Sequence, residues 1–547
     1  MYQQLHALPQ AEQIELLTRH LVSINSVNGT TGEIDLADEL VKILQSFPIF
    51  QQHPDWVWTQ SLPHDQLNRK NVFALLKKPG CCRTIIYHSH FDTVGIEDFG
   101  SLEASAFDPT ALEKYFASYQ ADHEVQADAQ SGDWLFGRGA LDMKSGDAVN
   151  LANLLYFSEH PAELAGNLLF MGNCVEENDH SGVIAGLSEL HRLQIEQGLK
   201  YVTAINTDFN SPKYAGDNNK YVYYGAAGKM LTCCYIKGIE THVGNTYSGI
   251  DSTLIASQIN LLLNNNPKFV ERIPNEEVLP SACLQLRDQK DFYNVQTAKV
   301  TEMYFNTFTY QRPAADTLRL FKNAIEKAGQ QLLKKLAERQ QKFFSALGMP
   351  AVAENKQLFV YTLVEYLAYL ERQGLNSAAL VAEFAQQADQ FDRRQVGFKL
   401  IDFLDQHLND NHAKVVLFIA PPFCPHNSVK KTTTVYQQLL KVLEESQNQA
   451  EIKLKEFFPY LSDSSYLAID ETSEELSRLQ ANFPLAEQIY PLPFAQMRKL
   501  AIPAIDIGVY GKGAHTWKER VYKPYSFNIL PTLIRKFSQQ VWQATKE

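Results

Sequence analysis

The sequence predicts an α/β protein in which helices cover a mostly parallel sheet and a smaller α+β domain is inserted into the chain. Up to about residue 228, apolar stretches typical of buried strands alternate with segments of helical periodicity, and α/β character returns from about residue 411. Between these limits the order of elements changes, and a long amphipathic helix is predicted from Asp316 to about Leu347. The predicted domains are a main domain in two parts, 1–228 and 411–547, and an inserted domain at 229–410.

Each predicted element rests on its own stretch of sequence. Short apolar runs, many rich in Val, Ile, Phe and Tyr, indicate strands, and periodic apolar residues at helical spacing indicate helices. The predicted strands cover residues 71–78, 83–94, 167–175, 201–208, 229–238, 298–310 and 501–511. Besides the long helix, the predicted helices cover residues 11–24, 32–47, 144–160, 251–265 and 526–543, with further helices to about residue 410.

Composition and charge exclude several classes of function. The 547 residues are 45% apolar and 20% charged, as in ordinary globular proteins. The net charge of −12, from 50 basic and 62 acidic residues, argues against binding to nucleic acids or to anionic membranes. We find neither a secretory signal nor an apolar segment long enough to span a bilayer. The seven cysteines form no C-x-x-C pair, so reduced thiols and a cytoplasmic location are expected.

Acids and imidazoles collect where predicted strands end. In open α/β sheets, ligands bind in the crevice beyond the carboxyl ends of the strands, so side chains that arrive there from separate strands converge. One further aspartate lies in a glycine-bounded loop that opens a helix, and one histidine follows the last strand by a few residues. The converging residues are His88, His90, Asp92, Asp142, Glu176, Glu177, Asp208 and His515.

The spacing His90-x-Asp92 suits a metal ligand and its support. Residues two apart on a strand share a face, so the Asp92 carboxylate can hold one ring nitrogen of His90 while the other binds a metal. By the same period His88 could also face the site, and geometry alone does not choose between the two histidines. A hydrogen-bonded strand histidine without a metal is the alternative interpretation.

Glu176 and Glu177 form a carboxylate pair at the end of a buried strand. Adjacent residues on a regular strand point to opposite faces, but at its end the chain can leave the pleat and turn both side chains inward. One glutamate could then bind a cation while the other moves protons, as metal-assisted hydrolysis requires. A solvated strand end is the alternative.

Five motifs in this order resemble the aminoacylase/carboxypeptidase-G/dipeptidase family of di-zinc metallohydrolases. They are "HSHFDTV", "GRGALDMKSG", "NCVEEN", the turn at Asp208 and "GVYGKGAHTWKERV". Each motif alone is weak, whereas the ordered set is specific. The segments "CLQLRDQKDFYNVQT", "YFNTFTY", "APPFCPH" and "FFPYLSDSSYL" are similar to the branch of arginine-utilisation proteins.

The resemblance implies that the chain binds two divalent ions, most simply zinc, with cobalt and manganese as alternatives. His90 and Asp208 would hold one ion and Glu177 and His515 the other, with Asp142 bridging them. In the same family pattern, Asp92 orients the first histidine, Glu176 is the general base, His242 of the inserted lid or dimerisation domain stabilises the oxyanion, and a cis peptide follows the bridging aspartate.

The function that the resemblance implies is hydrolysis of a peptide or N-acyl amide bond in a small amino-acid-derived substrate, with a possible link to arginine or amino-acid catabolism. The partners expected are that substrate and a second copy of the chain, bound through the inserted domain. An aminopeptidase-type exopeptidase is one alternative, and a binding protein that has lost catalysis is another. Many exopeptidases of the family carry a carboxylate-binding arginine on a lid strand, whereas "TEMYFNTFTY" has none, leaving Arg287 as a possible substitute.

Three further residues have two interpretations each. The segment around Asp463 resembles one that lines the family's substrate pocket, but Asp463 or Ser464 could equally cap a helix. Glu519 could support the metal site or form a surface ion pair. Cys174, two residues before Glu176, is expected to fill space in the core and not to act as a nucleophile.

Overall fold

The computed structural model describes residues 1–276, 278–350, 356–447, 450–460 and 462–545, so Leu461 of "FFPYLSDSSYL" lies outside the described residues. The chain forms two compact units. Unit 1 comprises Met1–Ala226, Asn427–Ile469 and Pro493–Glu547, and unit 2 comprises Ala227–His426 and Asp470–Leu492. The domain limits inferred from the sequence, at 228 and 410, stay predictions.

The main sheet of unit 1 has a parallel centre flanked on both sides by antiparallel neighbours, and the outermost pair at one edge is again parallel. Its four central strands are mutually parallel, so their carboxyl ends meet at one edge of the sheet. In register, His90 lies opposite Asn173, and Asp506 lies opposite Asn206. In spatial order the strands are Val57–Ser61, Lys70–Leu76, Asn167–Asn173, Arg83–His90, Lys200–Asn206, Ala504–Asp506, Lys220–Tyr223 and Ile452–Lys455.

Helices and short strands complete unit 1. The helix Lys144–Glu159 is buried along most of its length, because the segment after the glycine-rich loop runs through the core of the unit. The other helices are Tyr2–Leu5, Gln10–Val22, Gly32–Gln45, Pro48–Gln52, Pro109–Phe116, His123–Ser131, Ser181–Glu196, Thr434–Ser446, Phe494–Leu500 and Leu530–Ala544. The short strands are Trp134–Phe136, Gly225–Ala226, Asn427–Ser428, Gly511–Lys512 and Arg520–Tyr522.

Unit 2 is an α+β unit with a five-stranded sheet. The sheet order is Ala282–Asp288, Val300–Thr309, Gly228–Lys237, Ala413–Cys424 and Leu358–Thr362, with only the last pair parallel. The predicted long helix is present as Ala314–Ala346. The other helices are Ser252–Leu263, Leu363–Arg372, Ser377–Ala385, Val396–Gln406, Ser473–Gln480 and Ala486–Ile489.

Each unit has its own apolar core. In unit 1, fully buried Leu17, Leu40, Ile85, Leu168 and Ile505 belong to one cluster formed by the helices and the sheet. In unit 2, the long helix contributes Leu318, Phe321 and Ile325 to a second cluster with the strands of the five-stranded sheet, which is the stripe that its helical periodicity predicted. Among the described residues, no helix combines the length and the apolar character that crossing a membrane would need.

Candidate metal centre

The predicted ligands of unit 1 come together at the carboxyl edge of the main sheet. Two groups of potential ligand atoms, each lying within 4.8 Å of one another, share one residue. The first group is His90, Asp142 and Asp208, and the second is Asp142, Glu177 and His515. All five residues predicted as metal ligands therefore lie in these two overlapping groups.

Asp142 lies between the two histidines. Its Oδ1 is 3.2 Å from Nε2 of His90, and its Oδ2 is 3.0 Å from Nε2 of His515. The Oε2 atom of Glu177 is 3.2 Å from the same nitrogen of His515. One carboxylate with an oxygen facing each half of the site has the arrangement that a bridging ligand requires.

Glu519 holds the backbone around Asp142 in place. This buried carboxylate accepts hydrogen bonds from the N–H groups of Leu141 at 3.0 Å and Asp142 at 3.1 Å. Its other oxygen is 2.8 Å from Nη1 of the buried Arg138. Of the two interpretations left open by the sequence, support of the site is therefore the one that the structure favours. The peptide between Asp142 and Met143 is cis, as the family resemblance implied.

The chain leaves the strand pleat immediately before the two glutamates. Val175 has a φ of +64°, a left-handed conformation that is rare for a β-branched residue. Two buried carboxylates hold this turn: Glu33 accepts the N–H of Val175 at 3.1 Å, and Asp92 accepts those of Glu176 and Glu177 at 3.0 Å each. Three consecutive backbone N–H groups thus have hydrogen-bond acceptors, and both glutamate side chains turn inward. This turn allows two residues that are adjacent in the chain to face the same site.

Asp92 has a broader role than the sequence indicated. Nδ1 of His90 is 3.2 Å from the backbone oxygen of Asp92 and 3.6 Å from its carboxylate, so the backbone makes the closer contact with the ring. The carboxylate instead binds the amides of the glutamate turn and the side-chain amide of Asn28 at 2.8 Å. Asp92 therefore contacts both His90 and the glutamate turn.

The structure separates His88 from His90. Asn173 places its side-chain amide 2.7 Å from Nε2 of the fully buried His88, and burial lowers the pKa of His88 to about 4. The His88 ring is therefore neutral and accepts this hydrogen bond. His88 belongs to neither of the two ligand groups described above. His90 faces Asp142 instead.

Electrostatics of the site is dominated by crowded, buried carboxylates. Burial, together with the Asp142 charge, raises the pKa of Asp208 to about 8 and raises the pKa of Glu177. Against the cost of burial, hydrogen bonds from His515 and His90 lower the pKa of Asp142. The hydrogen bonds of His515 with Asp142 and Glu177 outweigh the desolvation of its ring and raise the pKa of His515 to about 12. Protons therefore supply, in the metal-free protein, the positive charge that cations would otherwise bring.

The donor set fits two divalent ions. Two imidazole nitrogens and three carboxylates are ligands that zinc accepts, and no cysteine is among them. The buried Oε1 atom of Glu177 has no hydrogen-bond partner within the described part of the chain, as expected for an oxygen available to a cation. The residues present thus fit the pair of metals that the resemblance implied.

Several other predicted residues take different places. His242 belongs to unit 2, where its exposed ring accepts the N–H of Gly244 at 3.0 Å, and its oxyanion role stays a prediction. Arg287 is ion-paired to Glu302 at 2.9 Å. Cys174 is fully buried, and burial raises the pKa of its thiol well above the ordinary value, as space-filling predicts.

The interpretation of Asp463 or Ser464 as a helix cap was wrong. The short 3₁₀ helix Asp463–Leu467 is capped by Ser462, whose hydroxyl accepts the N–H of Ser464 at 3.2 Å. The Asp463 carboxylate is buried and accepts hydrogen bonds from Asn173 and His180 at 2.9 Å each. Sequence reasoning missed His180 and Asn173, although both lie within the strand and turn that carry the two glutamates.

Comparison with known sequences finds two full-length relatives, while no family model matches. Protein RocB of Bacillus subtilis is 44% identical over 550 aligned residues, which cover 99% of this chain and 97% of RocB. The uncharacterized protein YqjN of the same organism is 33% identical over 530 residues, which cover 96% of this chain and 95% of YqjN.

Solved structures share the fold at low identity. A tripeptidase from Staphylococcus aureus has a TM-score of 0.53 at 13% identity, covering 97% of this chain and 99% of the tripeptidase. An M20 family metallo-carboxypeptidase from Sulfolobus solfataricus has a TM-score of 0.53 at 10% identity, covering 97% and 99%. The α/β fold with a second α+β unit is thus the fold that these two peptidases have.

The full-length likeness to RocB shows the family. The chain belongs to the family that includes RocB of Bacillus subtilis. The predicted fold and the predicted family are both confirmed.

Proposed function

We propose that the protein is a di-metal hydrolase that cleaves a peptide or N-acyl amide bond in a small amino-acid-derived substrate. The single observation that carries the proposal is the Asp142 carboxylate, which faces His90 with one oxygen and His515 with the other. A carboxylate in this position joins two half-sites, and a two-ion site is what metal-assisted amide hydrolysis uses.

The residues would divide into two sets of ligands that share the bridge. His90 and Asp208 would hold one ion, and Glu177 and His515 the other. Zinc is the ion that best suits nitrogen and carboxylate ligands, although cobalt and manganese accept the same set. When bound, the two ions would lower the pKa of water and polarise the scissile carbonyl.

Glu176 is placed to move protons. Its carboxylate is buried, lies 3.9 Å from His90 and belongs to neither of the two ligand groups. Burial, with the neighbouring carboxylates Asp463 and Glu177, raises its pKa well above the ordinary value, so it is a stronger proton acceptor than a solvated glutamate. We assign to Glu176 the uptake of the proton from the attacking water and its return to the leaving amine.

The substrate we propose is a small N-acyl amino acid or short peptide, in keeping with the arginine-utilisation branch that the motifs resemble. The strand Val300–Thr309 has no arginine, and Arg287 is already paired with Glu302. Neither the strand nor Arg287 is therefore favoured as the group that binds a free carboxylate of the substrate. The proposal includes stabilisation of the oxyanion by His242 and a homodimer that forms through the inserted domain.

A substrate panel tests the function. Protein reconstituted with two equivalents of zinc, cobalt or manganese is incubated with N-acetylated amino acids and with free dipeptides and tripeptides. Both sets should include arginine, ornithine and glutamate derivatives, and the released amine is measured. We expect metal-dependent hydrolysis of N-acylated substrates.

The other outcomes identify the alternatives. Hydrolysis that requires a free α-amine would favour the aminopeptidase interpretation, which the tripeptidase with the same fold makes worth including. Full metal occupancy without hydrolysis of any substrate would indicate a binding protein. Failure to bind any of the metals would contradict the proposed centre itself.

A further inference from the structure

A third group of polar residues lies directly behind the proposed base. Glu176, His180 and Asp463 place one ligand-type atom each within 4.8 Å of one another, and all three are buried. This group, which we name the His180 cluster, shares Glu176 with the proposed mechanism and contains none of the five proposed metal ligands. His180 and Asp463 are separated by 283 residues in the sequence.

Asp463 fixes the orientation of the His180 ring. Its Oδ1 is 2.9 Å from Nδ1 of His180, a distance at which the ring N–H donates to the carboxylate. Its Oδ2 accepts the side-chain amide of Asn173 at 2.9 Å, so both carboxylate oxygens are engaged. The His180 ring is fully buried and also packs against Tyr466, with ring centroids 5.3 Å apart.

The oriented ring faces the carboxylate of Glu176. Nδ1 of His180 is 3.6 Å from Oε1 of Glu176, an oxygen with no hydrogen-bond partner among the described residues. The other oxygen of Glu176 lies 3.9 Å from His90. The base carboxylate is therefore confined between two imidazoles. Nδ1 carries one hydrogen, which Asp463 accepts, so a contact with Glu176 that shortened on substrate binding would share that hydrogen between the two carboxylates.

The backbone reinforces this placement. His180 has a φ of +58°, and its N–H donates to the carbonyl of Val175 at 3.0 Å, closing the turn that carries both glutamates. Asparagine and glycine are the residues that adopt this left-handed conformation most readily. Histidine is also found in this conformation more often than most residues, so the turn fixes where the ring starts and the role of the ring is argued from its contacts.

We propose that His180, oriented by Asp463, is a positioning residue that holds the Glu176 carboxylate in the direction required for proton transfer. The inference rests on the proposed function, since it requires Glu176 to be the base. It concerns a histidine and an aspartate that act through Glu176 without touching the metal ligands.

Substitutions at position 180 separate the ring from the backbone. H180G removes the ring and relieves the left-handed backbone, whereas H180N also suits that backbone and keeps an N–H donor near the place of Nδ1. We expect H180G to lower kcat by about 10- to 100-fold with KM unchanged, as loss of outer support typically does. H180N should recover most of this loss. H191N, on the same helix Ser181–Glu196 but outside the cluster, is the matched control and should behave as wild type.

A double-mutant comparison and the metal content complete the test. If Asp463 acts through His180, H180G combined with D463N should lose no more activity than H180G alone. Elemental analysis should find two ions in wild type, H180G and H180N, and the melting temperatures should show that each variant folds.

Four results would overturn the inference. An H180G variant with wild-type kcat would show that the ring is not needed. An H180N variant as impaired as H180G would show that an N–H donor at this position does not hold Glu176. A third ion in wild type that is lost in H180G would make His180 a metal ligand. A metal-loaded wild type that hydrolyses no substrate would contradict the proposed function, and with it this inference, whereas the first three results leave that function intact.

Discussion

Glu176 and Glu177 are neighbours in the chain, yet their carboxylates meet different partners. The left-handed turn at Val175 lets both side chains point inward, where Glu177 lies 3.2 Å from His515 and Glu176 lies between His90 and His180. The two residues can therefore serve as ligand and base because the backbone, and not the residue type, distinguishes them.

At this scale we predict that Glu176→Gln keeps both metal ions and loses turnover. The amide has nearly the same volume as the carboxylate but cannot accept a proton at neutral pH, and losing a general base typically costs 10²- to 10⁴-fold in rate. Elemental analysis and initial rates on the best substrate of the panel provide the measurement. Glu196→Gln, an exposed glutamate in unit 1, is the control. Near-normal activity of the Glu176 variant would refute its assignment as the base.

The segment after the strand Ala504–Asp506 makes a close approach to the segment after the neighbouring strand. At Gly508, a Cβ atom would lie only 1.4 Å from the backbone oxygen of Asp208, and 3.1 Å from a carboxylate oxygen of Asp506. Glycine is required here because the backbone that carries the Asp208 side chain leaves no room for a methyl group. Of the predicted strand over 501–511, the structure has Ala504–Asp506 in the main sheet and Gly511 in a separate short strand.

We therefore predict that Gly508→Ala displaces Asp208 and weakens the site that this aspartate helps to form. Overpacking of this kind costs about 1–3 kcal/mol in the free energy of unfolding, and a displaced ligand should reduce the affinity for one ion about 10- to 100-fold. Chemical denaturation and chelator competition measure the two effects.

Gly329→Ala in unit 2 is the matched control for this substitution. The Cβ atom added there meets only the end of the Leu358 side chain, which can move, and the position lies inside the helix Ala314–Ala346. Its metal affinity should equal that of the wild type. If Gly508→Ala also binds both ions normally, the close approach at Asp208 does not position the ligand.

The whole molecule carries a net charge of −12, and part of that negative charge is buried at the metal centre. Asp208 has a pKa of about 8 in the metal-free protein, against about 3.9 for an aspartate in an unfolded chain. Between these values the folded protein binds a proton that the unfolded chain has released. Stability of the metal-free protein therefore falls as the pH rises across this range.

We predict that metal ions stabilise the protein more at pH 8 than at pH 6. A bound ion would keep Asp208 deprotonated at both pH values. The stability of the metal-loaded protein should therefore not fall with rising pH through Asp208, as that of the metal-free protein does. The pKa values of His90 and His515 are also raised in the metal-free fold. Above about pH 6.5, these two histidines therefore also make the metal-free protein less stable as the pH rises. For Asp208 alone, the difference in unfolding free energy between metal-loaded and metal-free protein should widen by about 2 kcal/mol over these two pH units.

Thermal unfolding of zinc-loaded and chelator-treated protein at both pH values tests this expectation. In the metal-free state, Asp208→Asn should show a shallower pH dependence than the wild type, because it has no proton to lose. A difference that stays constant or narrows between pH 6 and pH 8 would contradict the linkage.

The sequence by itself determined the class of fold and most strands and helices of unit 1, and it proposed as metal ligands five residues that lie in the two overlapping groups. These follow from local causes: apolar periodicity specifies an element, and a parallel strand directs the residue after its end to a shared edge. Ordered motifs then connect those strand ends to a known family.

Only the tertiary structure decided which of two residues with equivalent sequence positions faces the candidate metal centre. It also decided which residues, distant in the sequence, hold the side chains of that centre in place. His88 and His90 share one strand face, and only the neighbouring Asn173 and Asp142 distinguish them. The strand Ala413–Cys424 is buried along its whole length, but the sequence of this strand does not specify that its neighbour in the sheet is Gly228–Lys237. The contact of Asp463 with His180 has the same physical reason, because a side chain's partner is set by long-range packing, which local periodicity does not encode.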